Sequence, residues 1–191
     1  MDKLTTLQLT TASSNDFLRL AAFYKDVIER TPGMSSHCPW VYGLHPTDEM
    51  IINYIKEGSM YLCLSDGIIL GSVAVTPYQS EEYDNIKWPC DSSIDDIAVV
   101  HILAVNPDYQ KGGLARMIMQ EVENIAANFG HRVLRLDALS INTPAQKLYT
   151  SLGFHFCDRQ MAYARNLGIT EFFYFEKKTS RLVYIQVSSN Y

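Results

Sequence analysis

The chain has 191 residues, enough for one domain that can bury about 70% of its unfolded surface without disulfides or metals. Hydrophobic residues make up 47% of the chain and charged residues 19%, which excludes an intrinsically disordered protein. A net charge of −5 without a basic stripe argues against nucleic-acid binding, and the short apolar stretches argue against a membrane span.

The spacing of the cysteines and the polarity of the N-terminal residues indicate the cellular compartment. The four cysteines form no CxxC pair and have no histidine at metal-ligand spacing, so no metal site is predicted. The first residues are polar and lack the apolar segment of a signal peptide. We therefore expect reduced thiols and a cytoplasmic protein.

The first third of the chain predicts one strand and two helices. Apolar and polar residues alternate over Leu4–Thr10, as in a half-buried strand. Ser13 or Ser14 then precedes an apolar stripe of helical spacing that continues to about Arg30. A shorter helix, with a threonine as its N-cap residue, is predicted over Thr47–Gly58.

The middle of the chain predicts a hairpin, a long loop and a buried strand. Two runs typical of strands, Met60–Leu64 and Ile68–Thr76, flank a Ser-Asp-Gly turn. The polar segment Pro77–Ser93 is long enough to be either functional or disordered. Ile94–Val105 is nearly apolar toward its end, which predicts a strand buried on both faces.

The rest of the chain alternates helices and strands. A helix that opens with two glycines is predicted over Gly112–Gly130, and another, opening with Thr-Pro, over Thr143–Gly153. This order predicts an α/β (α+β) sheet with helices packed on it. The further predicted strands are Val133–Ala138, Phe154–Ala164, Thr170–Tyr174 and Leu182–Val187.

The passage from the buried strand into Lys111, Gly112 and Gly113 favours the binding of a bulky anion. The first amides of a helix have no internal partner, and the helix dipole adds positive potential there. Glycines let an anion approach the backbone, as in pyrophosphate sites. The segment matches neither a Walker A loop nor the G-x-G-x-x-G fingerprint. A plain strand-to-helix turn that contains glycine explains these residues equally well.

Two motifs together resemble one family. Gln110–Ala115 (QKGGLA) is similar to the Q/R-x-x-G-x-G/A motif of the GCN5-related N-acetyltransferases, the GNAT superfamily. Asn142–Phe154 follows the pattern N-x-x-A-x-x-L-Y-x-x-x-G-F, which resembles the second signature of that superfamily. The clear resemblance covers residues 60–161, and the first 58 residues fit only in outline. We therefore expect a single acetyltransferase domain over residues 1–191.

The resemblance implies a mixed, mostly antiparallel sheet of six to seven strands, flanked by about four helices. The sheet would be splayed between Val99–Val105 and Val133–Ala138, with acetyl-CoA as co-substrate in the opening. Asn142 and the end of the first strand would hold the pantetheine arm, and the amides of Lys111–Ala115 the pyrophosphate. The implied cofactor-binding residues are Leu103, Ala104, Val105, Gln110, Lys111, Gly112, Gly113, Leu114, Ala115, Asn142, Ala145 and Tyr149.

Acetyl transfer to an amine makes three chemical demands. The amine must lose a proton, the thioester oxygen must be stabilised as it gains charge, and the leaving thiolate is helped by a proton donor. The resemblance implies that the backbone N–H of Leu103 or Val105 donates a hydrogen bond to the thioester oxygen. Tyr149 stands where the family carries the acid, and it lies two helical turns after Asn142, on the same helix face.

The base stays open between several groups. Many family members carry a glutamate before the motif, which this chain lacks. His101, predicted to share a strand face with Leu103, matches the catalytic histidine of serotonin N-acetyltransferases. A purely structural histidine explains it equally well. Asp95 and Asp96, at the start of the predicted strand, and water are the alternatives. The two aspartates are also candidates for binding the substrate, since they could orient a cationic acceptor.

The acceptor is the least defined part. Trp40, Tyr42, Tyr78 and Trp88 lie in segments that often line the substrate side in the superfamily. We expect direct transfer, in a ternary complex, to a primary amine of a small molecule or peptide. A non-catalytic CoA-binding or metabolite-binding sensor is the alternative. Nucleic acid, membrane and metal partners are not expected, and the C-terminal strands could pair across a homodimer.

Overall fold

Seven strands form one open sheet in residues 7–179, the part of the chain that the computed structural model describes. Their order across the sheet is 1-2-3-4-5-7-6, and all neighbours are antiparallel except the fourth and fifth strands. The strands are β1 (Leu9–Thr11), β2 (Met60–Ser65), β3 (Ile68–Thr76), β4 (Ile97–Val105), β5 (Val133–Leu139), β6 (His155–Ala164) and β7 (Gly168–Lys178).

Five α-helices accompany the sheet in this range. The predicted N-cap at Thr47 is confirmed, since its hydroxyl accepts a hydrogen bond from the Met50 amide at 3.1 Å. The short second helix was not predicted. The helices are α1 (Phe17–Arg30), α2 (Met34–His37), α3 (Asp48–Lys56), α4 (Leu114–Asn128) and α5 (Thr143–Ser151).

The predicted strands are confirmed with small shifts at their ends. Residues 94–96 form a 3₁₀ turn before β4 instead of strand. The predicted first strand is described only from its end, at Leu9. The predicted strand Leu182–Val187 lies outside the described residues.

Helices cover both faces of the sheet, and alternation along β3 assigns side chains to each face. Val73 and Val75 pack in one core with the apolar stripe of α4 and with Tyr149 of α5. Ala74 points to the opposite core, which α1 and α3 supply with side chains such as Leu20. The expected fold, a mostly antiparallel sheet between layers of helices, is therefore confirmed.

The long loop between β3 and β4 is ordered by a buried ion pair. The Arg135 guanidinium on β5 contacts the Glu176 carboxylate of β7 at 2.9 Å, and both side chains are at most 4% exposed. Gln79 accepts a hydrogen bond from Arg135, and the Cys90 amide donates to Glu176. The Trp88 ring lies 4.1 Å from the guanidinium carbon. Both ends of the loop are thus attached to the sheet.

Strands β4 and β5 separate soon after they meet. Only Ile97–Val99 and Val133–Arg135 are in register. Beyond them, among the strands that the structure describes, β4 pairs only with β3, and β5 pairs only with β7. The predicted splay of the sheet between these two strands is therefore confirmed.

Candidate active site

A cavity of about 1080 Å³, called the cleft below, lies where β4 and β5 separate. Its walls are Val100–Val105 of β4 and Asp137–Leu139 of β5. The start of α4 and residues of α5 also border it, together with side chains of the segment 27–54 and of the turn 163–167.

A β-bulge shapes the wall that β4 forms. His101 is paired with Ala74 and Ala104 with Ser72, so two residues of β4 lie opposite one residue of β3. Ile102, in the bulge, has a φ of 42°, a strained value for a β-branched residue. The buried Tyr24 hydroxyl donates to the Ile102 carbonyl at 2.9 Å and holds this conformation.

Because of the bulge, His101 and Leu103 do not share a strand face, so that prediction was wrong. Leu103 and Val105 pack in the core beneath α4. His101 instead faces the α3 side, where its ring stacks on Tyr54 with centroids 5.7 Å apart. The period of two fails here because the extra residue of the bulge reverses the alternation.

The glycine turn presents the start of α4 to the cleft. The helix begins at Leu114, so Lys111–Gly113 form a loop and not its first residues as predicted. Lys111 has a φ of 63° and Gly113 a φ of 85°, the left-handed region that favours glycine. The first intrahelical bond comes from the Met117 amide to Gly113, so earlier amides have no carbonyl one turn back.

Gln110 fixes this turn from within. Its side-chain amide donates to the Val105 carbonyl at 3.1 Å and to the Thr31 hydroxyl at 2.9 Å. The contact joins the end of β4, the glycine turn and the end of α1. Gln110 borders the cleft, and its amide group is engaged with the protein.

Helix α5 brings the second motif to the cleft. Asn142 caps the helix by accepting a hydrogen bond from the Ala145 amide at 3.3 Å. Tyr149 is 8% exposed and lines the cleft, together with Asn142 and Ala145. Burial raises the pKa of the Tyr149 phenol well above its usual value, so the hydroxyl stays protonated and can donate a hydrogen bond. Among the described residues it has no hydrogen-bond partner.

His101 reaches the same cavity as a neutral imidazole. Its Nε2 lies 3.1 Å from the Thr76 hydroxyl. Burial lowers the pKa of His101 to about 4, and the nearby His45 adds to the effect. A ring that is neutral at pH 7 has a free lone pair and can accept a proton.

Asp137 is a site residue that the sequence reasoning missed. It lines the cleft from β5, and Tyr83 donates a hydrogen bond to its carboxylate at 2.6 Å. Burial raises its pKa. No ion pair joins it to a cation within residues 7–179. The available signal was a carboxylate in a strand whose other residues, apart from Arg135, are apolar, since charges are seldom buried without a function or a partner.

The expected acceptor residues separate into two groups. Trp40 lines the cleft, and its ring contacts His45, which lines it too. Tyr42 and Tyr78 lie outside the cavity wall, with their hydroxyls donating to Asp48 and Glu57 respectively.

The remaining candidates lie farther away. Asp96 is at the opposite end of β4, with its carboxylate near Ser93 and Arg132, and Asp95 precedes it. Neither aspartate lines the cleft. Trp88 lies over the Arg135–Glu176 pair and not in the cavity.

The comparisons with known proteins identify the family. The profile of the Acetyltransferase (GNAT) family matches residues 20–154, more than half of the chain. With the splayed sheet and the cleft in place, this match shows that the chain belongs to the Acetyltransferase (GNAT) family. The resemblance carried by the two motifs is thereby confirmed.

Curated relatives match over part of their length. The chain is 31% identical over 86 residues to ribosomal protein bS18-alanine N-acetyltransferase of Salmonella typhimurium, covering 40% of this chain and 58% of that protein. It is 26% identical over 105 residues to an aminoglycoside N(6')-acetyltransferase type 1 of the same species, covering 55% and 68%. The chain thus spans roughly half to two thirds of the curated relatives that it matches.

Solved structures share the fold at low sequence identity. A GNAT-family acetyltransferase from Streptococcus agalactiae has a TM-score of 0.71 at 18% identity, covering 92% of this chain and 96% of its own. The YncA protein of Salmonella typhimurium, solved with its cofactor acetyl-CoA, has a TM-score of 0.63 at 14% identity, covering 92% and 95%.

Residues 7–179 contain neither a candidate membrane span nor a candidate metal site. No helix there has the length and apolarity that crossing a membrane requires. No group of three or more His, Cys, Asp or Glu side chains in that range is arranged to hold a metal ion.

The two buried imidazoles predict a loss of stability in acid. Burial lowers the pKa of both His45 and His101 from 6.5 to about 4. Between these values the unfolded chain binds more protons than the folded one, so the free energy of unfolding falls as the pH falls. The loss begins near pH 6.5 and is complete below about pH 4. A shift of this size is worth about 3 kcal/mol of unfolding free energy per residue.

Urea unfolding measured between about pH 4 and pH 8 tests this prediction. The double variant H45Q/H101Q should show a flatter profile below pH 6.5 than the parent protein. An unchanged slope would show that the two imidazoles titrate normally in the folded state.

Proposed function

We propose that this protein is an N-acetyltransferase that moves an acetyl group from acetyl-CoA to a primary amine. The observation that carries the proposal is the arrangement along one cleft. Unpaired helix amides lie at one end, and Tyr149, His101 and Asp137 face the same cavity. A donor with a phosphate tail and an acceptor amine would meet between them.

The residues present fit coenzyme A. Past Val99 the β5 side of β4 has no strand partner within residues 7–179, which leaves an open backbone edge at Leu103–Val105 for an amide-containing arm. The first-turn amides of α4, with Lys111 beside them, suit a pyrophosphate. Asn142 and Ala145 line the facing wall. When bound, acetyl-CoA would supply an activated acetyl thioester.

The acceptor end favours a cationic amine. Asp137, Glu82 and Glu49 border the cleft, and none of them forms an ion pair with a described side chain. Glu82 and Glu49 are exposed, whereas Asp137 is partly buried. Burying a carboxylate without a cation is costly, and an incoming ammonium group would offset that cost at Asp137. We assign Asp137 the role of holding the acceptor nitrogen. The acceptor is a primary amine of a small molecule or of a peptide N-terminus.

His101 is assigned the role of base. An ammonium group must lose a proton before its nitrogen can attack, and a neutral imidazole in the cavity can take that proton. Asp95 and Asp96 are poorly placed for this step because they lie at the far end of β4. Tyr149 is assigned to the leaving sulfur, because its hydroxyl stays protonated and faces the cavity.

Direct transfer is favoured over a covalent acyl-enzyme. Cys38 borders the cleft, and burial raises the pKa of its thiol to about 12. The thiolate, which is the nucleophilic form, is therefore scarce at neutral pH. Among the described residues that line the cavity, Cys38 is the one cysteine, and its unactivated thiol supports a ternary complex.

A panel of primary amines tests the proposed function, with acetyl-CoA-dependent release of free thiol as the readout. At least one polyamine, aminoglycoside or peptide should give turnover above the hydrolysis background. Binding of acetyl-CoA without turnover of any amine would identify a sensor instead.

The variant D137N should raise the KM for the amine about tenfold or more, because the ammonium loses its counter-charge. D158N, a matched change on β6 outside the cavity wall, serves as the control. Equal kinetics for the two variants would remove Asp137 from the acceptor site.

Replacement of Tyr149 by phenylalanine should lower kcat about 10- to 100-fold and change the KM for acetyl-CoA by less than about threefold. The substitution removes only the hydroxyl that helps the sulfur to leave. The variant Y174F is a matched control, since Tyr174 is 2% exposed and does not line the cleft. If Y149F weakened acetyl-CoA binding more than turnover, the acid role would be wrong.

A further inference from the structure

Thr76 is the one side chain that hydrogen-bonds to His101 in the described structure. It is the last residue of β3 and only 1% exposed. In the β3–β4 register Thr76 lies opposite Val99, and His101 lies opposite Ala74, two residues away. Thr76 and His101 are therefore diagonal neighbours on one face of the sheet, within reach of each other.

The Thr76 hydroxyl has one hydrogen and two close partners. Its oxygen lies 2.8 Å from the backbone carbonyl of Tyr78 and 3.1 Å from Nε2 of His101. A carbonyl can only accept, so a contact of 2.8 Å between two oxygens requires the hydroxyl hydrogen between them. The hydroxyl therefore donates to Tyr78 and accepts from His101. It follows that Nε2 of His101 carries the ring hydrogen.

The other ring nitrogen must then be the proton acceptor. A neutral imidazole has one N–H and one lone pair, so Nδ1 of His101 carries the lone pair. Nδ1 has no hydrogen-bond partner among the described groups. Every fully buried side-chain nitrogen and oxygen in residues 7–179 has such a partner, so Nδ1 cannot be one of the fully buried atoms. Nδ1 is therefore not sealed within the protein. Because His101 lines the cleft, Nδ1 is open to that cavity.

The ring plane is held independently of this hydrogen bond. Tyr54 of α3 stacks on the imidazole with an interplanar angle of 18°. The stack restricts tilting of the ring, but it does not distinguish one nitrogen from the other. That distinction depends on Thr76.

We propose that Thr76 is a positioning residue that holds His101 as the Nε2–H tautomer, with Nδ1 directed at the acceptor. This inference rests on the proposed role of His101 as base. One proton passes from the acceptor ammonium to Nδ1, and the electron pair left on the nitrogen attacks the thioester carbon. The C–S bond then breaks, and the sulfur takes the Tyr149 proton and leaves as free thiol. The nitrogen gives one of its two remaining protons to Tyr149, which leaves the neutral amide. The resulting imidazolium keeps its Nε2–H on Thr76, whose hydroxyl stays on the Tyr78 carbonyl. The proton then leaves from Nδ1 to water.

Nitrogen NMR of the protein without ligands tests the tautomer directly. The imidazole signals of His101 are those missing from the H101Q spectrum. At neutral pH the parent protein and T76S should both show the Nε2–H tautomer alone. T76V, which has the same shape without the hydroxyl, should show a mixture with measurable Nδ1–H. A parent ring protonated on Nδ1, or a T76V spectrum identical to the parent, would overturn the proposal.

Steady-state kinetics provide the second readout. T76S should stay within about threefold of the parent kcat, and T76V should lose about tenfold or more while the KM for acetyl-CoA is unchanged. In the H101Q background T76V should have no further effect, because the ring that it positions is gone. A loss of equal size in that background would mean that Thr76 acts on folding alone, and would overturn the proposal.

The two readouts separate this inference from the proposed function. The spectra need neither acetyl-CoA nor an acceptor, so they test the tautomer even if no turnover is found. If H101Q itself leaves kcat unchanged, His101 is not the base, whatever the spectra show.

Discussion

The bulge in β4 is the constraint on which the cleft depends. It inserts one residue between His101 and Ala104 and forces Ile102 to a φ of 42°. A bulged strand bends and twists more strongly than a regular one. In this protein β4 leaves its parallel partner β5 after three residue pairs, and the cavity occupies the gap. The buried Tyr24 hydroxyl bonds the Ile102 carbonyl, so α1 helps to keep the strand in this strained form.

The same bulge determines which side chains of β4 lie on each face of the sheet. Leu103 and Val105 pack under α4, next to the glycine turn that directs the helix amides at the cleft. His101 turns to the other face, against Tyr54 and Thr76. Had the strand continued with a regular period of two, the imidazole and Leu103 would lie on one face. The bulge thus places the unpaired backbone edge of β4 and the His101 imidazole along one short segment.

Much of the fold followed from local patterns. Helix caps such as Thr47, apolar stripes and glycine turns mark where elements begin and end, and these depend on neighbours in sequence. Two motifs, one before α4 and one spanning α5, were enough to indicate the family. The bulge had no such marker, since Ile102 is an ordinary strand residue by type, and so the prediction that His101 shares a strand face with Leu103 was wrong.

The prediction of site residues from local sequence has the same limit. Asp96 is close to His101 in sequence, but five strand residues span roughly 16 Å, which places its carboxylate outside the cavity. Asp137 is distant in sequence and enters the cavity because β5 forms the facing wall. Proximity in the cleft depends on which strands separate, and no single segment of sequence encodes that.

Calorimetric titration of the protein with acetyl-CoA tests the central claim most directly. The cleft between β4 and β5, with the first turn of α4 at its end, should bind one molecule per chain. A variant with Gly113 replaced by valine should bind more weakly, because a β-branched residue resists the φ of 85° that directs the amides. A flat titration of the parent protein at high concentration would contradict the account.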